Sequence, residues 1–179
     1  MSSRPFSFAN RENIGTCSSI TSAKLVGASS NEIFPESIIE HSIFKLDKNL
    51  KKDIQNEVRQ RFFRDELNIW EITTKDTLKY YAILDNVKGK SLPITFLSIF
   101  NQKGTVFDTF IIKYRESYGG EVGNKNWLNQ FIDYSDKSDY KVGASISGIS
   151  GATISVKSVT KGINKLSILI HTIIQDLNE

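Results

Sequence analysis

The chain is poor in the residues that build most recognisable chemical sites. Its 179 residues include one cysteine and two histidines. A lone Cys17 can close no intrachain disulfide. His41 and His171 lie far apart, and with a single thiol they make a poor zinc ligand set and a poor Cys–His nucleophile pair. There is no hydrolase triad, no Walker loop and no dinucleotide-binding Gly-x-Gly-x-x-Gly. Charge of one sign is scarce as well. The 23 basic and 20 acidic side chains leave a net charge of +3, too small an excess to imply nucleic acid. Long apolar runs are missing, so no transmembrane span is expected. The segment ahead of Cys17 contains Arg4, Asn10, Arg11, Glu12 and Asn13 instead of the apolar stretch of a signal peptide or lipoprotein leader.

What remains is the composition of a globular domain, 39% hydrophobic and 24% charged, in a length that suits one core. Residues 1–31 are rich in Ser, Asn, Thr and Gly, have no sustained periodicity, and read as a flexible leader to a domain spanning 32–179. A helix is expected over 47–66, capped by Asp47, with Leu50, Ile54, Val58, Phe62 and Phe63 at helical spacing. Its basic residues suit phosphate or an acidic partner, but the acidic ones interspersed among them favour a solvated face. Strands are expected at 67–73, 77–87, 92–101 and 104–114. Turns at Lys75-Asp76, Lys88-Gly89-Lys90 and Asn101–Gly104 join them into an antiparallel sheet of about four strands. Pro93 suits the beginning of a strand. A short helix over 124–133 and a short strand near 140–146 lead to the last helix, 154–177. There Val156, Val159, Ile163, Leu166, Ile170, Ile173 and Leu177 form one apolar stripe suited to covering a sheet. The expected fold is α+β, an antiparallel sheet packed against a long C-terminal helix and an N-terminal helix.

The chemistry concentrates where Ser150-Gly151-Ala152-Thr153 turns into that helix. A threonine hydroxyl at a helix start lies beside backbone N–H groups without intrahelical partners and the positive end of the helix dipole, so a phosphate there is stabilised by both. Taken alone, these residues are ordinary capping and packing chemistry, and most such helix starts bind nothing. Two further segments add weight. One is Tyr114-Arg115-Glu116-Ser117-Tyr118-Gly119-Gly120-Glu121-Val122, followed by Trp127-Leu128-Asn129-Gln130-Phe131; the other is Ile33-Phe34-Pro35-Glu36-Ser37.

Gly148 to Ser155 resembles the flavin-attachment loop of the FMN-binding domain family. The 114–131 segment is similar to that family's second block, and Phe34-Pro35-Glu36 to the opening of its small extracytoplasmic members. The resemblance spans roughly residues 32–179. It implies FMN joined through a phosphoester to Thr153, with Ser150 and Ser155 bonding phosphate oxygens and Gly151 and Ala152 permitting close approach. It implies that Glu116, Tyr118, Gly119 and Gly120 form a loop facing the flavin, the two glycines free to take positive φ. Trp127 shares a helix face with Phe131 and serves either the flavin or the core.

Family relatives are subunits of sodium-translocating NADH:quinone reductase and Rnf-type complexes, or small extracytoplasmic flavoproteins. The resemblance therefore implies an electron carrier more than an independent enzyme, with no catalytic residue or metal ligand of its own. Redox partner proteins, among them a membrane reductase, and a flavin transferase for maturation are expected, without nucleic acid. The implied location is extracytoplasmic or periplasmic. Ser147 stands where family members usually carry an aspartate. That departure keeps two other readings open, a module holding flavin or another phosphate ligand noncovalently and a cofactor-free interaction protein. Under the flavin reading, Ser150–Thr153 and Tyr118–Gly120 border one cleft.

Overall fold

The computed structural model describes residues 33–179, and residues 9–16 as backbone. Its centre is a six-stranded antiparallel sheet in which each strand pairs with its sequence neighbours. The strands are β1 (Ala9–Thr16), β2 (Ile38–Lys45), β3 (Glu66–Thr73), β4 (Lys79–Lys88), β5 (Pro93–Asn101) and β6 (Val106–Lys113). Helix α1 (Lys48–Val58) lies between β2 and β3. After β6 come a 3-10 turn (Gly120–Gly123), the short α2 (Lys125–Leu128), a second 3-10 turn (Asn129–Phe131) and the long α3 (Thr153–Asn178). The expected α+β class, with both helices, is what forms.

The period of two sorts the strand side chains onto two faces. Leu67 and Ile69 of β3, Tyr81, Ile83 and Val87 of β4, and Ile94, Phe96 and Phe100 of β5 join the main core with α1 and α3. Ile72, Ala82, Leu97 and Ile99 form a smaller cluster with Phe34 and Ile39, on the opposite parity of the same strands.

Helix α1 starts as expected, with the Asp47 carboxylate accepting the N–H groups of Asn49 and Leu50 at 2.8 and 3.1 Å. Those bonds, Leu50's first, hold the Asp47 carboxyl below the usual aspartate range. The helix stops at Val58, well short of the expected residue 66, because Arg59 turns left-handed at φ 53°. Phe62 still reaches the core from the following loop, where its N–H donates to Gln55 Oε1 at 2.9 Å, while Phe63 is exposed.

Two strands were not anticipated. β2 pairs with β3 along its whole length, from Ile38↔Thr73 to Lys45↔Glu66. Its apolar alternation is blurred because Ser42 is buried and Ile38 exposed. β1 pairs with β2 from Ala9↔Ile43 to Thr16↔Ile38. The rest of the expected leader, including Cys17, lies outside the described residues. The short strand expected near 140–146 reduces to a single bridge between Val142 and Ile146.

Helix α3 lies across β4 and β5 on its apolar stripe, with Val156, Val159, Ile163, Leu166, Ile170 and Ile173 fully buried. It comes so close at Gly162 that a Cβ there would lie 2.5 Å from Val87 Cγ1 and 2.9 Å from Phe96 Cζ. Within this apolar layer sits a charged pair, Lys165 Nζ 2.6 Å from Asp85 Oδ2, both side chains almost wholly buried. The ammonium also donates to the Arg61 carbonyl at 3.1 Å and lies 4.1 Å above the Phe62 ring. Burial pushes the Asp85 pKa up and the Lys165 pKa down, each toward its neutral form, and their mutual attraction opposes both shifts.

Removing one partner strands the other. Lys165→Met is expected to cost about 3–5 kcal/mol in urea unfolding, whereas Lys165→Met combined with Asp85→Leu recovers most of that loss. Equal losses in the single and double variants would show that packing, not the unpaired charge, sets the cost.

Candidate functional site

At one end of the sheet a cleft of about 530 Å³ opens between three segments. The β4–β5 turn contributes Lys90 and Ser91, the loop after β6 contributes Glu116, Ser117 and Tyr118, and the start of α3 contributes Gly151 to Ser155.

The helix start is built to stay open. Gly151 takes φ +78°, and a Cβ there would meet nothing within 4 Å. Ala152 occupies the N-cap position and makes no side-chain cap bond. The first backbone bond of the helix runs from Val156 N to Ala152 O at 2.9 Å. The N–H groups of the first turn therefore have neither an intrahelical partner nor a capping side chain from Ala152. Thr153, the first helical residue, is exposed beside them.

The facing loop is pressed against this helix start. Gly119 takes φ +84°, and a Cβ there would lie 2.8 Å from Tyr114 Oη and 3.0 Å from Ala152 Cβ. Tyr114 joins the two segments, donating its hydroxyl to the Tyr118 carbonyl at 2.5 Å while lying 3.1 Å from Ser155 Oγ. Tyr118 projects at the rim, 86% exposed. Positive φ was expected to be open to both glycines of this loop, and it occurs at Gly119 alone. Gly120 begins the 3-10 turn, and a Cβ on it would meet nothing nearer than Tyr114 Cδ1 at 4.0 Å.

Glu116 borders the cleft but spends its carboxylate on the neighbouring turn. Its Oε1 accepts the N–H groups of Ser91 at 2.7 Å and Leu92 at 2.9 Å. The bonds from Leu92 and Ser91 hold the Glu116 carboxyl below the usual glutamate range. Gly89 makes this approach possible, since a Cβ there would fall 2.4 Å from the same oxygen.

Trp127 does not line the cleft. It is 9% exposed, packs edge-on against Phe131 at 5.3 Å and donates its indole N–H to the Ser147 carbonyl at 2.8 Å. Ser147 N–H in turn donates to Gln130 Oε1 at 2.8 Å, so both backbone groups of Ser147 are held while its side chain stays exposed. Trp127 thus fixes the approach to the helix start from within the core.

Of the residues singled out in the sequence, Gly151, Ala152, Thr153, Ser155, Glu116 and Tyr118 line the cleft. Gly119 packs against Ala152, and Ser150, Gly120 and Trp127 lie outside the lining. The two loops expected to share a cleft do meet. Lys90, Ser91, Ser117 and Ile154 line it too and were not anticipated. Lys88-Gly89-Lys90 was legible only as a turn, and nothing local to it shows which loop it meets. Sheet register decides that, through Lys88↔Pro93 and Thr95↔Lys113. Among the described residues no group of His, Cys, Asp and Glu is arranged to hold a metal. No described helix is long and apolar enough to cross a membrane.

The model of the family described as FMN-binding domain matches residues 89–167. Every cleft-lining residue, from Lys90 to Ser155, falls inside that span. No curated protein matches the chain.

Two outcomes test this geometry. Gly119→Ala places a methyl group against Tyr114 and Ala152 in a left-handed backbone, and is expected to cost about 1–3 kcal/mol in urea unfolding. The Glu116 pKa is lower folded than unfolded, so its bonds are fully kept above the ordinary carboxyl range and lost as pH falls through the depressed folded value. In a pH titration by NMR, the Ser91 and Leu92 amide resonances should shift together at a pH below that of a free glutamate. Independent titration of the two amides would exclude the shared acceptor.

Proposed function

We propose that the chain, whose residues 89–167 match the FMN-binding domain family, is an electron-transfer flavoprotein whose FMN sits in the cleft, phosphoester-linked to Thr153. The observation that carries the reading is the uncapped start of α3, which opens into the cleft with the Thr153 hydroxyl at its first residue.

The residues present fit the group. A phosphate needs several donors and a positive field, and the free N–H groups of the first turn and the helix dipole supply both. Gly151 and Ala152 leave room for close approach, and Ser155 adds a hydroxyl at the cleft wall. A flat ring system needs apolar surface at the opening, where Tyr118 and Ile154 are exposed. When bound, FMN supplies the redox chemistry, and the protein's task is to position it. The missing dinucleotide fingerprint favours a carrier that meets protein redox partners over an independent dehydrogenase. An extracytoplasmic site, a membrane reductase as partner and maturation by a flavin transferase belong to the same proposal.

Ser147 supports a second reading, in which the same cleft holds flavin reversibly. Family members usually carry an aspartate six residues before the flavin-bearing threonine, and Ser147 supplies no carboxylate for a transferase to read. The exposed Ser147 side chain leaves room for one, since the backbone is already fixed by Trp127 and Gln130.

Co-expression with a flavin transferase, followed by intact-mass measurement under denaturing conditions, separates the readings. The wild type should carry one FMN-sized increment and Thr153→Val none. Ser147→Asp should raise the loaded fraction without altering the fold. Equal loading of wild type and Thr153→Val would exclude Thr153 as the anchor. Yellow protein that loses its colour on denaturation would establish reversible binding, and protein without flavin even after reconstitution would leave the cofactor-free interaction protein.

A further inference from the structure

Among the described residues that line the cleft, Lys90 is the one cation. It belongs to a turn tied down on several sides. Gly89 N–H donates to the Leu92 carbonyl at 3.0 Å, the Glu116 carboxylate takes the Ser91 and Leu92 N–H groups, and Arg115 Nη1 donates to the Pro93 carbonyl at 3.1 Å. A fixed turn limits where the flexible lysine stem can carry its charge, so less freedom is lost when it meets an anion. The Glu116 carboxylate is held mainly by the Leu92 and Ser91 N–H groups, and attraction to the Lys90 charge is the smallest of the causes that keep its pKa low. The start of α3 on the same cleft offers N–H donors and a partial positive charge, but no full charge to match a phosphate. Tyr118 and Ile154, also at the cleft, are apolar surfaces suited to a ring.

We propose that Lys90 is the counter-charge for the phosphate of the bound flavin, and that it makes the cleft prefer FMN over riboflavin. The proposal rests on the flavin reading above and adds a specificity-determining residue from a segment outside the helix-start motif.

The test uses the full chain made without flavin transferase and freed of flavin, titrated with FMN and with riboflavin by flavin fluorescence at low and high salt. Wild type should bind FMN more tightly than riboflavin, with a preference that shrinks as salt rises. Lys90→Gln should weaken FMN about tenfold, as expected for loss of a charge-assisted bond at a solvent-accessible site, and leave riboflavin unchanged. Lys90→Arg should keep the preference. Thermal unfolding should match wild type, since Lys90 is exposed. Equal weakening of both flavins would place Lys90 against the ring and overturn the proposal, as would unchanged FMN binding. Wild type that binds neither flavin reversibly also overturns it. The intact-mass measurement after co-expression then reports separately whether the flavin reading stands.

Discussion

Helix α3 can lie on β4 and β5 at its observed depth only because position 162 carries no side chain. A Cβ there would fall 2.5 Å from Val87 Cγ1 and 2.9 Å from Phe96 Cζ, one contact on each strand. The same two strands end in the turn that brings Lys90 to the cleft, so the height of the helix over them also sets how its first residue meets that turn. Thr153 lies nine residues before Gly162, roughly 13 Å along the helix axis. A small tilt at the contact therefore becomes a displacement of the helix start comparable to a hydrogen-bond length. The cleft inherits its geometry from a packing contact well removed from it.

The buried Lys165–Asp85 pair restricts the same helix in another way. Apolar contacts are non-directional, so a hydrophobic stripe specifies the face of a helix more strictly than its position along the strand. A buried ammonium with one carboxylate within reach does not slide, because any shift leaves two desolvated charges unpaired. The ammonium also binds the Arg61 carbonyl and covers Phe62, which ties the loop after α1 to α3. Such a pair adds little net stability over an apolar replacement of the same shape. Its contribution here is register, and register is what a site assembled from three separated segments requires.

The legible parts of the chain are those in which local pattern and tertiary burial coincide. The three-and-four spacing from Val156 to Ile173 gave α3 because every residue of that stripe is buried. The Asn101–Gly104 turn gave the β5–β6 hairpin because its signals are local, with Asn101 O accepting Gly104 N–H at 2.9 Å. β2 was hidden because the sheet buries Ser42, which sequence counts as polar. α1 looked longer than it is because Phe62 keeps helical spacing after the chain has left the helix at Arg59. Within the cleft, the helix start and the Tyr118 loop could be read through their resemblance to the FMN-binding domain family, not from local pattern alone. The turn carrying Lys90 could not, since only strand register brings it there. Glu116 was identified as a cleft residue, but its bonds to Ser91 and Leu92 depend on that same register.

The helix start departs from what stability alone would select. A Ser, Thr, Asp or Asn at the N-cap would typically contribute about 1 kcal/mol by satisfying a first-turn N–H. This chain places Ala152 there, buried against Gly119, and precedes it with a left-handed Gly151. Elsewhere it caps helices in the ordinary way, with Asp47 on α1 and Asn124 on α2. The exception occurs at the helix start that borders the cleft. A capping side chain at position 152 would occupy the donors offered to the proposed phosphate and would crowd the Gly119 loop. Withholding it leaves the N–H groups of α3 without a protein acceptor from that position, and the phosphate proposed to bind there would restore the missing cap. On the proposed reading, stability forgone at Ala152 and affinity for a phosphate are two consequences of the same unsatisfied donors.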